Sequence, residues 1–450
     1  MTSQIFPKEA SDAKLLIPEG YDPYHSNPTN KCYFQFDAER ELLLLVSDES
    51  DDIIDIIDTR DVVGASIEIG LSESSDNIQS LSSQRDDNEP PSDTLKDTQG
   101  AAVLEIYVYP RRDPSESTIF SSCGFESSKS RPNIDYVRPT DISNFGPRYA
   151  KHRRFQVAPA EDLGAASLLA KAIRKISRPE NSKEDRLLVI VNPYSGTKKG
   201  EMVFSTIVAP LFEQAGIEYD VLITQHANHA FERMEEQESD SSITDVSKYD
   251  GIVAIGGDGI IHETLQGIQK RSDCNQILSK LKLGTVGSGT SNGLAKSIAH
   301  SSQEQAFPLE YAFLIAKGRS AKMDLSKYQT RSSSYLSFLT FSWAMIADID
   351  IESELIRFLG FLRMDVWGFW RVLNLRKYRA KFSYLKPSQG KQTCECPPLD
   401  QPIPNSSEWV SCEDDFILFW ASQVTHAAEN MFQSPGSKLD DGLFQIFIIR

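Results

Sequence analysis

The chain has 450 residues, of which 40% are hydrophobic, and it carries a net charge of −17. This length predicts two or three domains, and the hydrophobic fraction is sufficient to form real cores. A net acidic chain has the wrong sign for the phosphate contacts of a nucleic-acid-binding protein, so no nucleic-acid partner is expected.

The sequence also gives no sign of a membrane-spanning or secreted protein. No apolar run reaches the roughly 18 residues that a transmembrane helix needs. The first 20 residues lack the apolar core of a signal peptide, and the six cysteines are scattered without paired zinc-type spacing. We therefore expect a cytoplasmic protein whose membrane contact is peripheral.

The N-terminal part, residues 1–176, is predicted to be a β-rich module. Its apolar patterns indicate five strands and then a helix, at 32–36, 41–46, 62–69, 102–109, 153–157 and 160–176. This order resembles a pleckstrin-homology-like module. The acidic run 48–61 is interpreted as a solvated loop, residues 72–100 as a disordered insert and residues 177–186 as a linker.

Residues 187–320 are predicted to form a parallel α/β lobe. Four apolar strands alternate with helical segments, the strands at 187–191, 219–224, 251–255 and 283–286 and the helices near 202–214, 229–238, 260–270 and 292–298. Such alternation is typical of a parallel sheet covered by helices. Strands predominate after residue 320, which predicts an antiparallel β-rich lobe over residues 321–450.

Three of these strands run into polar or glycine-rich loops. The loops are Asn192-Pro193-Tyr194, Gly256-Gly257-Asp258-Gly259 and Gly289-Thr290-Ser291-Asn292. Ligands bind at the carboxyl edge of a parallel sheet, and glycine-rich turns that precede helices suit phosphate. The loops therefore predict one nucleotide cleft. Neither the P-loop pattern nor a complete G-x-G-x-x-G occurs, so neither a P-loop nor a Rossmann enzyme is indicated.

These motifs, in this order and with Glu263 after the second, resemble the signature of the diacylglycerol, ceramide and sphingosine kinases. The resemblance extends over about residues 185–450, and the stretch from Phe341 to Arg363 is most similar to sphingosine (long-chain base) kinases. It implies an ATP- and Mg²⁺-dependent kinase that phosphorylates the primary hydroxyl of sphingosine, sphinganine or phytosphingosine to the 1-phosphate. The residues that it implies for nucleotide binding are Asn192, Pro193, Tyr194, Thr224, Asn228, Gly256, Gly257, Gly259, Glu263, Gly289, Thr290, Ser291, Asn292, Arg357 and Arg363.

Asp258 is the predicted general base of this reaction. Phosphoryl transfer needs a group that accepts the hydroxyl proton, and this carboxylate lies beside the phosphate-binding turn. The alternative is an aspartate that only caps the following helix, since N-caps favour Asp. Glu263 lies one helical turn further on and can point back at the cleft, whereas His262 is interpreted as packed or solvated.

The loop from Thr224 to Ala230 resembles the family loop whose Thr and Asn contact the nucleotide, here Thr224 and Asn228. His226 and His229 lie in the same loop. Because a zinc site needs more ligands than this loop offers, no metal site formed by protein groups alone is predicted.

Asp348, Asp350 and Glu352 alternate, which in an extended segment places all three on one face. Recognition of a cationic sphingoid amine requires a carboxylate. By resemblance Asp350 is the base-binding acid, and Asp348 is a second candidate.

Arg357 and Arg363 match family arginines that reach the nucleotide phosphates. Residues six apart do not share a helical face, so a bend at Gly360 is expected. Residues 358–373 contain too many apolar side chains for one helical stripe. Core packing is one explanation, and a lipid-gating element that meets the membrane, with the basic residues at 371–381 toward anionic headgroups, is the other.

In the family, further strands with an Asp-Gly-Glu segment follow the region matched by residues 444–450, so the β-rich lobe is expected to be incomplete at its C-terminus. A non-catalytic lipid-binding protein is therefore the alternative from another class. Ceramide kinase and diacylglycerol kinase are the alternatives within the enzyme class. The sequence leaves the preferred base and the oligomeric state open.

Overall fold

The computed structural model describes residues 15–16, 31–47, 53–69, 102–112, 145–157, 163–178, 186–196, 198–235, 245–289, 292–387, 397–404 and 407–450. The chain divides into two compact units. The first comprises residues 1–185, 205–218 and 312–319, and the second comprises residues 186–204, 219–311 and 320–450. The proposed insert at 72–100 lies outside the described residues. This division differs from the predicted boundaries in grouping residues 205–218 and 312–319 with the N-terminal part.

A seven-stranded antiparallel sheet and a helix dominate the first unit. Along the sheet the strand order is β4-β3-β2-β1-β7-β6-β5, and the pairs of neighbouring strands are antiparallel. The elements are β1 (Leu15–Leu16), β2 (Lys31–Asp37), β3 (Leu42–Ser47), β4 (Ile53–Asp58), β5 (Val62–Ile69), β6 (Ala102–Val108), β7 (Lys151–Val157) and α1 (Leu163–Ser177).

Helix α1 packs its apolar face on this sheet. Leu169, Ile173 and Ile176 recur at helical spacing and are buried in one core with Phe34 and Phe155 of the strands. The five predicted strands and the helix are confirmed as elements. The pleckstrin-homology-like class of the module stays a prediction.

The interpretation of the acidic run 48–61 as a loop was wrong for Ile53–Asp58, which form β4. Strand β4 pairs with β3, and Ile57, opposite Leu43, is 3% exposed in the core. Isoleucines between the aspartates give this strand a buried face, and the total charge of the run does not reveal that pattern.

From Arg186 onward, helices and parallel strands come first. They are β8 (Arg186–Val191), α2 (Gly200–Val203), a π-helical turn (Phe204–Val208), α3 (Ala209–Ala215), β9 (Glu218–Ile223), α4 (His229–Glu235), a 3₁₀ turn (Val246–Lys248), β10 (Gly251–Gly256), α5 (Asp258–Lys270), α6 (Cys274–Lys280), β11 (Lys282–Gly287), α7 (Gly293–Ser301) and α8 (Pro308–Lys317).

The remainder is mainly antiparallel. It consists of β12 (Ser326–Gln329), β13 (Ser334–Ser337), β14 (Thr340–Ala344), α9 (Met345–Glu352), a 3₁₀ segment (Ser353–Leu362), α10 (Arg363–Leu373), β15 (Tyr378–Leu385), β16 (Trp409–Phe416), β17 (Leu418–Ser422), β18 (His426–Ala428), β19 (Met431–Phe432) and β20 (Gln445–Ile449).

The second unit is built on a four-stranded sheet of order β11-β10-β8-β9, in which β10 runs parallel to both β8 and β11. The four strands coincide with the predicted ones, since runs such as Leu188–Val191 are fully buried. Antiparallel pairs follow, in the order β14-β17-β20 and as β12-β13, β15-β16 and β18-β19. Phe338 and Val424 of this later part join Ile252 and Ile261 in one core, so the two predicted lobes share their interior.

Within the described ranges, no helix is both long enough and apolar enough to cross a membrane.

A buried lysine in the first unit provides a pH-dependent prediction. Lys317 is 8% exposed, and its ammonium donates to the carbonyl oxygens of Thr59 at 3.1 Å and Val62 at 2.8 Å. Burial, with a smaller contribution from Arg319, lowers its pKa from 10.5 to about 7. Between these values the unfolded chain holds a proton that the folded chain has released, so stability rises with pH in this window.

We expect Lys317→Met to remove this rise, which amounts to at most about 4 kcal/mol between pH 7 and 10. Thermal unfolding of parent and variant at pH 6, 7, 8 and 9 measures it. The difference in melting temperature should favour the variant most at pH 6 and diminish as the pH rises. Parallel pH profiles for the two proteins would show that Lys317 does not titrate in this way.

Candidate functional site

Three strand ends lie side by side at the carboxyl edge of the parallel sheet. Gly256 is opposite Gly287, and Ile255 is opposite Val191. Beyond the strands the register continues, because the Asn192 N–H donates to the Ile255 carbonyl at 2.9 Å and the Ser288 N–H donates to the Gly256 carbonyl at 3.0 Å. The predicted meeting of the three loops is therefore present.

Glycines allow these loops to touch through their backbones. A Cβ on Gly289 would lie 2.7 Å from the Gly257 Cα, and one on Gly196 would lie 2.8 Å from the Ser288 carbonyl oxygen. Gly196 also has a φ of +52°, a region that favours glycine. Larger residues at these positions would push the loops apart.

Asp258 begins α5, but its side chain caps a different helix. One carboxylate oxygen accepts the Gly293 N–H at 2.7 Å, and the other accepts the Leu294 N–H at 3.1 Å, both at the start of α7. Burial raises the pKa of Asp258 above its ordinary value of 3.8, and these two N–H donors partly oppose the rise. A carboxylate shifted in this direction is a better proton acceptor than a solvated one.

Asn292 organises the third loop. Its backbone has a φ of +49°, and its side chain is 5% exposed. The side-chain oxygen accepts the Gly289 N–H at 3.0 Å, while the side-chain nitrogen donates to the Gly289 carbonyl at 2.9 Å and to Glu429 at 3.4 Å. These contacts hold the Gly289–Asn292 loop in its conformation, so Asn292 has a structural role in addition to any contact with nucleotide.

A small cavity of about 170 Å³ opens beside the first loop, and Asn192, Tyr194, Thr224 and Glu263 contribute to its lining. One carboxylate oxygen of Glu263 is buried and has no hydrogen-bond partner among the described residues. A buried acceptor without a partner is costly unless a ligand or water satisfies it. Thr224 is fixed here, since its N–H donates to the Val191 carbonyl at 2.9 Å.

The loop between β9 and α4 presents Asn228 to solvent, with a φ of +65°. His229 is 7% exposed and accepts the Gln225 N–H at 3.1 Å. Within the described ranges, no group of three or more His, Cys, Asp or Glu side chains is arranged to hold a metal ion.

The predicted extended segment after β14 is instead helix α9, so the expectation that Asp348, Asp350 and Glu352 share a face was wrong. Residues four apart share a helical face, and residues two apart do not. Asp348 accepts the Tyr378 hydroxyl with both oxygens at 2.8 Å. Asp350 is exposed, and its carboxylate has no partner among the described residues.

Glu352 is the centre of a partly buried network. It accepts the Trp367 indole N–H at 3.0 Å and the Arg376 guanidinium at 2.8 Å, and it pairs with Arg371, which is 4% exposed. The Arg371 Nε has no hydrogen-bond partner among the described residues. This network joins α9 to α10 and to Arg376, which lies between α10 and β15.

The bend between the two predicted phosphate-binding arginines is confirmed. Gly360 has a φ of +60° and a ψ of −126°, which interrupts the helical backbone. Arg357 and Arg363 both pair with Glu354, Arg357 at 3.5 Å. The bend therefore brings the two guanidinium groups to the same carboxylate.

Residues 186–328 match the family profile of the diacylglycerol kinase catalytic domain. Sphingosine kinase 1 of Homo sapiens is 30% identical over 286 residues, which cover 59% of this chain and 72% of that protein. The chain belongs to the sphingosine kinase family.

This member of the sphingosine kinase family is also 30% identical to sphingosine kinase 1 of Arabidopsis thaliana over 283 residues. The match covers 59% of the chain and spans 56% of the length of that relative. The crystal structure of a diacylglycerol kinase from Bacillus anthracis str. Sterne is 18% identical, with a TM-score of 0.39, and the match covers 60% of this chain and 77% of the other.

In this sphingosine kinase family member, the predicted nucleotide residues of the first two loops and Thr224 lie at one sheet edge with Gly289 and Asn292. Thr290 and Ser291 are outside the described residues. Among the described residues, the carboxylates of α9 form no hydrogen bond with these loops. The assigned roles of all these residues remain predictions.

Two further residues at this edge, Ser195 and Glu429, are not part of the motifs that predicted the site. The Ser195 hydroxyl would lie 3.0 Å from a Cβ on Gly289, so it sits between two loops. Glu429 reaches Asn292 from 137 residues away in the chain. The polar character of residues 194–200 hints at Ser195, whereas no local pattern identifies Glu429.

Proposed function

We propose that this chain is an ATP-dependent lipid kinase that phosphorylates the primary hydroxyl of a sphingoid long-chain base to the 1-phosphate. The observation that carries the proposal is the half-buried Asp258 carboxylate, with its raised pKa, where three strand ends with polar or glycine-rich loops meet. Backbone N–H groups of such loops suit phosphate.

The chemistry assigned to this chain is a proton transfer coupled to phosphoryl transfer. The substrate hydroxyl oxygen forms a bond to the γ-phosphorus, and the bond from that phosphorus to the β–γ bridging oxygen breaks, which releases ADP. The hydroxyl proton moves to Asp258. Glu263 lines the adjacent cavity, and one of its carboxylate oxygens is buried without a partner among the described residues, so we assign to Glu263 the role of accepting a hydrogen bond from a donor group of the nucleotide.

Mg²⁺ in such sites is commonly held by one or two carboxylates together with substrate phosphates. Since the described residues contain no three-ligand cluster, the nucleotide phosphates would supply most of its ligands. We assign no step to the ion.

The test is phosphate transfer from radiolabelled ATP by the purified 450-residue chain to sphinganine, ceramide and diacylglycerol in parallel. Transfer to sphinganine in preference to the others supports the proposal. Preferred transfer to ceramide or diacylglycerol would indicate a ceramide or diacylglycerol kinase. Binding of sphinganine without phosphate transfer would indicate a non-catalytic lipid-binding protein.

The substrate class depends on Asp350. Its carboxylate is exposed and has no partner in the described part of the chain, so it is available to a sphingoid ammonium, whereas Asp348 already accepts the Tyr378 hydroxyl. An uncharged ceramide amide offers no such pair. A charge-assisted hydrogen bond contributes about 1.5–3 kcal/mol, which corresponds to roughly 10- to 150-fold in affinity.

We therefore expect Asp350→Asn to raise the KM for sphinganine by about 10-fold or more and to leave the KM for ATP unchanged. Asp400→Asn removes the same charge from an exposed loop and serves as the control. If both variants have the parent's KM for the base, Asp350 does not bind the ammonium.

Peripheral membrane contact is proposed through an exposed apolar surface on residues 351–373. The most exposed of its large side chains are Ile351, Leu355, Phe358, Phe369 and Leu373, at 63–83%. Their exposure favours the lipid-facing explanation over core packing. Basic residues follow at once, among them Arg376 and Lys377, which suits anionic headgroups.

Co-sedimentation with phosphatidylserine-containing vesicles measures this contact. We expect Phe369→Glu to reduce binding several-fold, and Phe307→Glu, an exposed aromatic elsewhere in the second unit, to leave it unchanged. Equal binding by both variants would exclude residues 351–373 as the membrane-contacting surface.

A further inference from the structure

The first unit contains a polar pocket that is separate from the strand-end site. It lies on the outer face of β5, β6 and β7. In register, Ser66 is opposite Glu105 and Glu105 is opposite Arg154, while His152 is opposite Tyr107. The intervening residues Leu104, Ile106 and Phe155 point the other way into the core, because side chains alternate along a strand.

A buried carboxylate organises this face. Glu105 is 2% exposed, and it accepts the Arg154 Nε–H at 2.9 Å and the Tyr107 hydroxyl at 3.2 Å, and its Oε1 lies 3.0 Å from the His152 Nδ1. The Tyr107 hydroxyl is also 2.8 Å from the Ser66 hydroxyl. A buried ionic network of this kind is weak evidence for a contribution to stability, since apolar residues of similar size usually stabilise as well.

Side chains from two helices also line the pocket. Arg174 of α1 and Pro210, Glu213 and Gln214 of α3 line it, and the cavity has a volume of about 320 Å³. Helix α3 is held close to the sheet, since a Cβ on Gly64 would lie only 2.0 Å from the Gln214 carbonyl oxygen. The pocket is therefore an open hollow between packed elements of one unit, and it is large enough for a small ligand.

The donors in the pocket favour an anion. Arg174 uses its Nε to donate to the Ala65 carbonyl at 2.6 Å, and its two Nη groups have no partner among the described residues. The Glu105 carboxylate holds the Nδ1–H of His152, so the Nε2 accepts when the ring is neutral and donates when it is protonated. The remaining charged groups that face the pocket are Glu105, which is neutralised by Arg154, and the exposed Glu213.

We propose that this pocket binds the phosphate monoester group of a small soluble ligand, with the Arg174 guanidinium and the His152 imidazolium as its donors. The Arg174 side chain comes from α1 and the His152 side chain from β7, so the two can donate to different oxygens of one phosphate.

The experiment is calorimetric titration of the full chain with glycerol 2-phosphate at pH 6.0, with a non-hydrolysable ATP analogue present to occupy the nucleotide cleft. We expect His152→Gln to weaken binding about 10-fold or more, because one donor to the phosphate is lost. Arg174→Gln should weaken binding about 10-fold or more, whereas Lys175→Gln, the same charge change at the next residue, should have no effect.

Vesicles that carry phosphatidylinositol 4-phosphate form the second arm, since they present the same monoester on a lipid. The vesicles could bind more strongly than glycerol 2-phosphate, and Arg174→Gln could abolish that binding. This result would show that the pocket binds phosphate on a lipid and would exclude a small soluble ligand. No heat of binding at pH 6.0, or equal weakening in the Arg174 and Lys175 variants, would overturn the site itself. If Arg174→Gln melts well below the parent, the His152 variant, altered at a partly exposed side chain, decides alone.

Discussion

Asp258→Asn lowers the turnover of the proposed kinase reaction by about 10²- to 10⁴-fold, the usual contribution of a general base. The amide keeps the size of the carboxylate, and its oxygen can still accept the Gly293 N–H, but it cannot take up a proton. The contact with the Leu294 N–H is lost, so a modest destabilisation of about 0.5–2 kcal/mol accompanies the change.

The control for this loss of packing is Ser297→Ala. Ser297 lies on the same helix α7, where its hydroxyl donates to the Gly293 carbonyl at 2.8 Å and accepts the His426 N–H at 3.1 Å. The substitution Ser297→Ala removes these two contacts of α7 and leaves the Asp258 carboxylate unchanged. If the two variants lose turnover to the same small extent, Asp258 acts as a cap and not as a base.

The pH profile separates the same alternatives. Because burial raises the pKa of Asp258, the folded chain takes up this proton at a higher pH than the unfolded chain. When the pH falls through that pKa, protonation of Asp258 therefore stabilises the folded chain. The same protonation leaves Asp258 unable to accept the hydroxyl proton. The turnover of the parent should therefore fall on acidification. Its melting temperature should not fall relative to that of Asp258→Asn over the same pH range.

Glu352→Ala should lower the free energy of unfolding of the second unit by about 3–5 kcal/mol, because it leaves the buried Arg371 guanidinium without its carboxylate. Thermal or urea unfolding of the full chain measures the change. Glu354→Ala is the matched control. It removes a glutamate two residues away that pairs with Arg357 and Arg363 at the surface, and it should change stability little.

A second variant tests the cause of this destabilisation. If an unpaired buried charge is responsible, the double variant Glu352→Ala with Arg371→Met should recover much of the lost stability, since both ionic groups are removed. Additive losses in the double variant would mean that packing of the side chains, and not the charge, holds α9 in place.

Local pattern was sufficient for the elements that build the site. The fully buried runs Leu188–Val191 and Ile252–Ile255, followed by asparagine and glycine, identify β8 and β10 and their ends without reference to the rest of the chain. The same information placed Gly257, Asp258 and Gly289 at one edge. Burial on both faces leaves a strong and continuous apolar signal.

Local sequence pattern failed where contacts between residues distant in the chain decide the structure. Asp348, Asp350 and Glu352 have the period of a strand, yet they lie in a helix, where Glu352 contacts Trp367 of α10 and Arg376 beyond it. The capping of α7 by Asp258 joins residues 35 apart, and no motif contains it. The buried Lys317 and the close approach at Gly64 likewise depend on partners remote in sequence.

The contact between Gly257 and Gly289 restricts how this chain can vary. At most core positions, a larger residue on one side can be accommodated by a smaller one on its neighbour. Here the neighbour is main chain, because a Cβ on Gly289 would meet the Gly257 Cα at 2.7 Å and the Gly257 nitrogen at 2.9 Å. No exchange of side chains at position 257 can relieve that overlap. A library that randomises both positions should therefore return active clones with glycine at 289 whatever residue is selected at 257.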